Sequence, residues 1–242
     1  MKKTIITTTS IFFIFLVWII IHLAVSNPLL FPNPIEVIKA FFSIFTKENS
    51  YISIGLTFLR LLVSLASAFL LGTICGLLSA KIEGFRTFFK PIVTIFRTIP
   101  VISIIVIALI VFGFNGTPYV ISFLTIFPLV YQQIQDSILS IDHTYLDIYK
   151  LEDNGIIKGF FYCYLPLIRR SIFTTILQCL GLGIKVIVMA EYVSQIKHGI
   201  GKEIYQAGVS LRYDLVFAWT SLLVMVALTF ELVTFKVQKN IE

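Results

Sequence analysis

Six apolar stretches divide the chain, at about Ile5–Val25, Ile52–Ala80, Pro91–Phe112, Pro118–Ser137, Ile168–Ala190 and Tyr213–Phe235. Each approaches the roughly 20 residues that a membrane-crossing helix needs. Polar or Gly/Pro-containing breaks separate them, so the pattern predicts an all-α membrane protein with about six transmembrane helices. Between the first two, Leu30-Phe31-Pro32-Asn33-Pro34 leads into Ile35–Phe45, where Ile35, Ile38, Phe42 and Phe45 share one helical face. That spacing predicts a short amphipathic helix lying at the interface.

Composition agrees with the pattern. Of 242 residues, 57% are hydrophobic and 13% charged, against about 45–50% and about 25% in soluble domains. Soluble enzymes and disordered tails are excluded, because too few polar side chains remain to coat a globule. The run Ile11–Val25 after Met1-Lys2-Lys3, with the small residues of Ala24-Val25-Ser26 near its end, also fits a signal peptide. Its helix-like length and the spans that follow favour an uncleaved first span.

The net charge of +6 comes from 19 Lys+Arg against 13 Asp+Glu and is read as loop charge rather than as a nucleic-acid surface. With the N-terminus inside, Lys2, Lys3, Lys81, Arg86, Lys90, Lys150, Lys158, Arg169, Arg170, Lys236 and Lys239 fall in the cytoplasm. Lys39, Lys47, Lys197, Lys202 and Arg212 fall outside, which is eleven against five. The positive-inside rule therefore puts both termini in the cytoplasm. The chain divides into residues 1–50, the first span with the outer amphipathic segment, and residues 51–242, a five-helix core containing the inner loop 141–166.

That loop carries most of the chemistry. Asp142 suits a helix N-cap, and Tyr145, Ile148, Tyr149, Leu151 and Glu152 form a mixed aromatic and aliphatic ridge on a short exposed helix. Two readings are open: a connector resting on the bilayer, or a helix inserted into the groove of a cytoplasmic partner.

Here the chain resembles the inner-membrane permeases of binding-protein-dependent ABC importers, within them the nitrate/sulfonate/taurine group. Permeases of this family carry a cytoplasmic Glu-Ala-Ala, three residues, Gly, then Phe and Leu-Pro. Counting back from Leu165-Pro166, Phe160 matches the Phe, Asp147-Ile148-Tyr149 stands at Glu-Ala-Ala, and Asp153 replaces the Gly, with Gly155 displaced by two residues. The acid is kept but shortened, and both alanines are replaced. Leu30–Val37, Arg97-Thr98-Ile99-Pro100 with Val111-Phe112-Gly113, Phe127-Pro128, and Ala190-Glu191 followed by Gly199-Ile200-Gly201 and Ile204–Ala207 extend the resemblance over about residues 28–240.

The resemblance implies a type I ABC importer permease fold in the bacterial plasma (inner) membrane, with two permease subunits, commonly identical, around a central pathway. It also implies a cytoplasmic ABC ATPase dimer and an extracellular or periplasmic solute-binding protein. Asp147, Ile148, Tyr149, Lys150, Leu151, Glu152, Asp153, Gly155, Phe160 and Pro166 would form the ATPase-coupling segment. The chain holds no Gly-rich phosphate loop with Lys-Ser/Thr, so it is expected to carry no cofactor and no catalysis, with ATP and Mg in the partner ATPase. Expected solutes are a small anion such as a sulfonate or nitrate, or a molecule like a thiamine precursor.

Ionisable residues inside spans call for a reason, since a central charge costs about 2.5–3.5 kcal/mol. Arg60 and Arg97 lie near span ends and are expected to snorkel to headgroups. Lys185 lies in the outer half, as a pathway-lining cation for an anionic solute or as the partner of an acid on another span, such as Glu231, or at a dimer interface. Glu191, about 120° away around the helix, is a candidate for the pathway but is better read as an anchor for the Gly199–Gly201 turn. Gly72 and Gly76 predict close helix packing, Gly181 and Gly183 a close approach or bend, and Trp18 and Trp219 interfacial anchors.

Cys75, Cys163 and Cys179 lack metal or disulfide spacing, and His22, His143 and His198 form no cluster. An intramembrane enzyme would need a nucleophile–base pair, a metal site or paired carboxylates, and none is evident. The alternative is a stand-alone secondary transporter, whose broken-helix and inverted-repeat signals are missing from the sequence.

Overall fold

The computed structural model describes residues 2–25, 27, 30–142 and 164–241. These form eight helices and no strand: α1 (Lys2–Val25), α2 (Pro34–Ile44), α3 (Glu48–Lys81), α4 (Glu83–Thr98), α5 (Val101–Leu139), α6 (Leu165–Ser194), α7 (Ile200–Val209) and α8 (Tyr213–Ile241). Among them Glu48–Lys81, Val101–Leu139, Leu165–Ser194 and Tyr213–Leu232 are long and apolar enough to cross a membrane, and Phe12–Val25 is a shorter apolar helix.

The third expected span, Pro91–Phe112, is not one helix. Pro100 has no N–H to continue the ladder and crowds Ile99 out of the helical region. Ile99 is accordingly extended (φ −66°, ψ 130°), α4 stops at Thr98 and α5 starts afresh at Val101. A second break lies at Gly113 (φ 68°, ψ −178°), which splits α5 into limbs 101–112 and 114–139. The first limb, about 18 Å at 1.5 Å per residue, is too short to cross the roughly 30 Å hydrocarbon layer. The fourth expected span falls within the second limb.

The small residues of α3 set the close contacts. A Cβ on Gly72 would fall 2.8 Å from Val130 Cβ, and one on Gly76 would fall 2.8 Å from the Tyr131 carbonyl. This is the packing role expected of the pair, and it lets α3 lie directly on the second limb of α5. Ala68, Ile126, Val130, Ile134 and Cys179 fill the core between α3, α5 and α6.

α2 is fixed by a reciprocal cap. Ile35 N–H donates to Asn33 Oδ1 at 3.0 Å, and Asn33 N–H donates to Glu36 Oε2 at 3.1 Å. The helix is the one predicted, with the predicted apolar face turned outward and a second apolar face turned inward. Val37, Ala40 and Ile44 are buried against Ala218, Trp219 and Leu222 of α8, while Ile35, Ile38, Phe42 and Phe45 are exposed. Trp219 is therefore a core residue, at 3% exposure, and not an interfacial anchor. Trp18 donates from Nε1 to the Pro32 carbonyl at 3.2 Å and packs with Phe31 on Phe217, which joins α1 to α8.

Candidate functional site

Glu191, near the outer end of α6, is fully buried and closely partnered. It accepts from Arg60 Nη1 at 2.8 Å, from Thr57 Oγ1 at 2.9 Å, and from Gly201 N–H at 3.1 Å. Arg60 Nη1 also donates to the His198 carbonyl at 2.9 Å, and Ile200 N–H donates to Thr57 Oγ1 at 2.9 Å. Two side chains of α3 and one of α6 thus satisfy the backbone of the 196–201 turn, which enters α7. The Gly201 contact is the turn anchoring described for Glu191 from sequence. Arg60 corrects the snorkelling expectation: at 7% exposure its guanidinium turns into the protein, where a carboxylate and a carbonyl replace headgroups as its partners.

The glycines of the turn make room for this arrangement. A Cβ on Gly201 would lie 2.2 Å from the Val188 carbonyl and 2.6 Å from Tyr192 N, and one on Gly199 would lie 2.6 Å from Glu191 Oε2. α7 can therefore rest directly on the α6 backbone. Fully enclosed, Glu191 presents no surface to a pathway.

Lys185 is in a different setting. It is exposed, about 120° around α6 from Glu191, and lines a groove of about 340 Å³ between α6 and α8 with Thr174, Gln178, Gly181, Phe230 and Glu231. Thr174, Gln178, Gly181 and Lys185 recur every three or four residues, so all four fall within about 60° of arc. They make a polar stripe along an otherwise apolar helix. Glu231 shares the groove with Lys185, but among the described residues no ion pair joins them.

At the inner end Pro166 lies in the first turn of α6, where its missing N–H costs nothing. The Lys81 ammonium sits over the Tyr164 ring at 4.7 Å, which joins the end of α3 to the start of α6. Gln133 Nε2 donates to Ser171 Oγ at 3.0 Å, holding α5 to α6. The other coupling candidates, Asp147, Ile148, Tyr149, Lys150, Leu151, Glu152, Asp153, Gly155 and Phe160, lie outside the described residues.

Sequence reasoning missed Thr57 and Arg60 as partners of Glu191, although a signal exists. Ser50, Ser53, Thr57, Arg60 and Ser64 recur every three or four residues on α3 and are all buried. In a helix that lipid would otherwise surround, such a polar seam marks the face turned to protein. The stripe of Thr174 and Gln178 below Lys185 was legible by the same spacing.

Residues 68–242 match the family model described as "Binding-protein-dependent transport system inner membrane component". The chain is also similar to the taurine transport system permease protein TauC of Escherichia coli (strain K12), at 23% identity over 221 residues, covering 89% of this chain and 80% of that protein. The family match takes in α5, α6, the Glu191 turn and the Lys185 groove, and the multi-pass helices place the chain in the bacterial inner membrane. The chain belongs to the inner membrane components of binding-protein-dependent transport systems, the permeases of ABC importers.

Proposed function

We propose that this chain forms half of the translocation pathway of an ATP-driven importer for a small solute bearing a sulfonate, with the polar stripe of α6 turned toward a second copy of the chain. The stripe carries the reading. An exposed lysine with Gln178 two turns below it on the same face is costly against lipid, and with the small Gly181 between them the face suits a water-filled pathway. Lys185 offers a cation to the sulfonate, and Glu231, on the same groove, offers a carboxylate to an amine on the same solute. The name of the similar taurine permease supports that solute class.

The family supports the remaining parts of this reading. A solute-binding protein delivers solute on the outer side, and a cytoplasmic ATPase dimer, which holds the ATP and Mg, engages the 141–166 segment. Closure of the ATPases is transmitted through that segment to α5 and α6 as a rigid-body movement between inward-open and outward-open states.

The test is uptake of taurine into proteoliposomes containing the complete importer. Lys185→Met is expected to lower uptake roughly tenfold, the scale of one lost charge-assisted hydrogen bond, with assembly intact by size exclusion. Lys185→Arg is expected to retain most of it. Unchanged uptake in Lys185→Met would remove Lys185 from the pathway, and preferred uptake of nitrate would overturn the sulfonate class.

A further inference from the structure

We propose that the groove between α4 and the inner half of α5 is a second anion site, which takes a free tetrahedral oxyanion, sulfate-like or phosphate-like, from the cytoplasmic side. The groove has a volume of about 370 Å³, and its walls include Arg86, Lys90, Arg97, Gln132, Gln135 and Asp136. Three cations face one carboxylate, and the other named walls are amides.

The cations share a face because of their spacing. Lys90 and Arg97 are four and eleven residues beyond Arg86, which at about 100° per residue puts all three within roughly 40° of arc. Val93, about 20° beyond that arc, is buried and seats this face against α5. Arg97 donates to Gln132 Oε1, which fixes its guanidinium on the α5 wall. Among the described residues, the side chains of Arg86 and Lys90 have no hydrogen bond or ion pair, and Asp136 lies beyond ion-pair reach of both. The groove therefore holds cationic donors that its own walls leave unsatisfied. A concave cationic surface of this kind concentrates anions, and guanidinium forks match the oxygens of a tetrahedral oxyanion.

The helix itself distinguishes a free anion from a lipid headgroup. Phe88 and Ile95, 66% and 52% exposed, lie about 160–180° around α4 from the arginines. The lipid-facing side of α4 is thus the side away from the groove. α3 runs inward to Lys81, and α4 begins two residues later, so the groove opens at the cytoplasmic end of the bundle, on the side that water reaches. The site requires only this topology. It is independent of the solute carried and distinct from the Lys185 groove.

The test measures sulfate binding to the purified full importer in detergent by isothermal titration, with phosphatidylglycerol retention followed in parallel by native mass spectrometry. Sulfate is expected to bind to wild type and to Lys185→Met alike, and affinity is expected to fall by at least about tenfold in Arg86→Gln/Lys90→Gln. The charge-preserving Arg86→Lys variant is expected to keep most of it and serves if the double variant does not assemble. Loss of sulfate binding in Lys185→Met with retention in Arg86→Gln/Lys90→Gln would move the anion to the other groove. Absence of sulfate binding, with phosphatidylglycerol retained by wild type and lost in the double variant, would give the groove to lipid. Either result overturns the proposal.

Discussion

Arg60 Nη1 lies 2.8 Å from Glu191 Oε1, and this buried pair joins α3 to α6 at the point where the chain turns into α7. Each ion is costly to bury alone. Here Thr57, Gly201 N–H and the His198 carbonyl supply the further partners that make the pair tolerable. The arrangement fixes the outer end of the bundle, and the Lys185 stripe occupies another face of the same helix.

Removing one member is expected to be worse than removing both. Glu191→Met leaves Arg60 charged and enclosed, and a loss of about 3–5 kcal/mol is expected. Arg60→Met/Glu191→Met removes both charges and is expected to cost less than the sum of the single changes. Thermal unfolding of detergent-solubilised protein, followed as loss of the monodisperse peak, checks the cycle. Additive losses would mean that the two side chains are not energetically coupled.

Two glycines of α7 are expected to respond in opposite ways. Gly201→Ala drives a methyl into the Val188 carbonyl at 2.2 Å, and because that obstacle is backbone the helices must separate, at a cost of about 1–3 kcal/mol. At Gly208 an added Cβ meets nothing within 4 Å, and alanine is expected to be neutral or stabilising by up to about 1 kcal/mol. A comparison of the two midpoints under one detergent condition decides it. Equal effects would show that the contact of α7 on α6 is not tight.

What the sequence made legible was set by the contrast that each feature offers against its neighbours. Apolar run length located the helices, and the spacing of Ile35, Ile38, Phe42 and Phe45 located α2, whose Asn33–Glu36 cap was there in the sequence but was not read. The inward face of α2 was not legible, because Ile38 and Ala40 are both apolar and lipid accepts either. Small size, not hydrophobicity, selected Ala40 for the contact. Arg60 was misread because its distance from the end of α3 permits snorkelling, and only the seam from Ser50 to Ser64 reveals that this face is covered. The break at Pro100 was also legible, since proline restricts Ile99 wherever it stands. Within an apolar run, however, composition outweighed it. For Lys185 two roles were expected, a pathway cation or the ion-pair partner of an acid such as Glu231, and the structure gives both side chains one groove with no ion pair between them among the described residues.

Gly113 supplies a separate test of the bend in α5. Its φ of 68° with ψ −178° lies in a region that is essentially closed to other residues. The site is spacious, with nothing within 4 Å of a Cβ, so any effect of alanine arises in the backbone alone. Gly113→Ala is expected to destabilise by about 1–3 kcal/mol, or to straighten α5 and shift the first limb. Disulfide trapping between cysteines introduced on limb 101–112 and on α6 would report that shift. Wild-type stability with unaltered trapping would show that the bend is set by packing rather than by the glycine.

Coupling to the ATPase is expected to depend on Tyr149, one of the replacements in the inner loop. The family pattern places a small residue there, and this chain supplies an aromatic ring. An aromatic residue on a docked helix gains by entering an apolar pocket, so the cognate ATPase is expected to offer a wider cleft than one suited to alanine. Tyr149→Asp places a charge where the ring would be desolvated and is expected to abolish co-purification of the ATPase from mild detergent. Tyr149→Phe keeps the ring and is expected to retain it. The permease itself is expected to stay folded and membrane-inserted in both, since Tyr149 falls between the apolar stretches of the sequence. An ATPase held equally by wild type and Tyr149→Asp would place the coupling surface elsewhere on the cytoplasmic face.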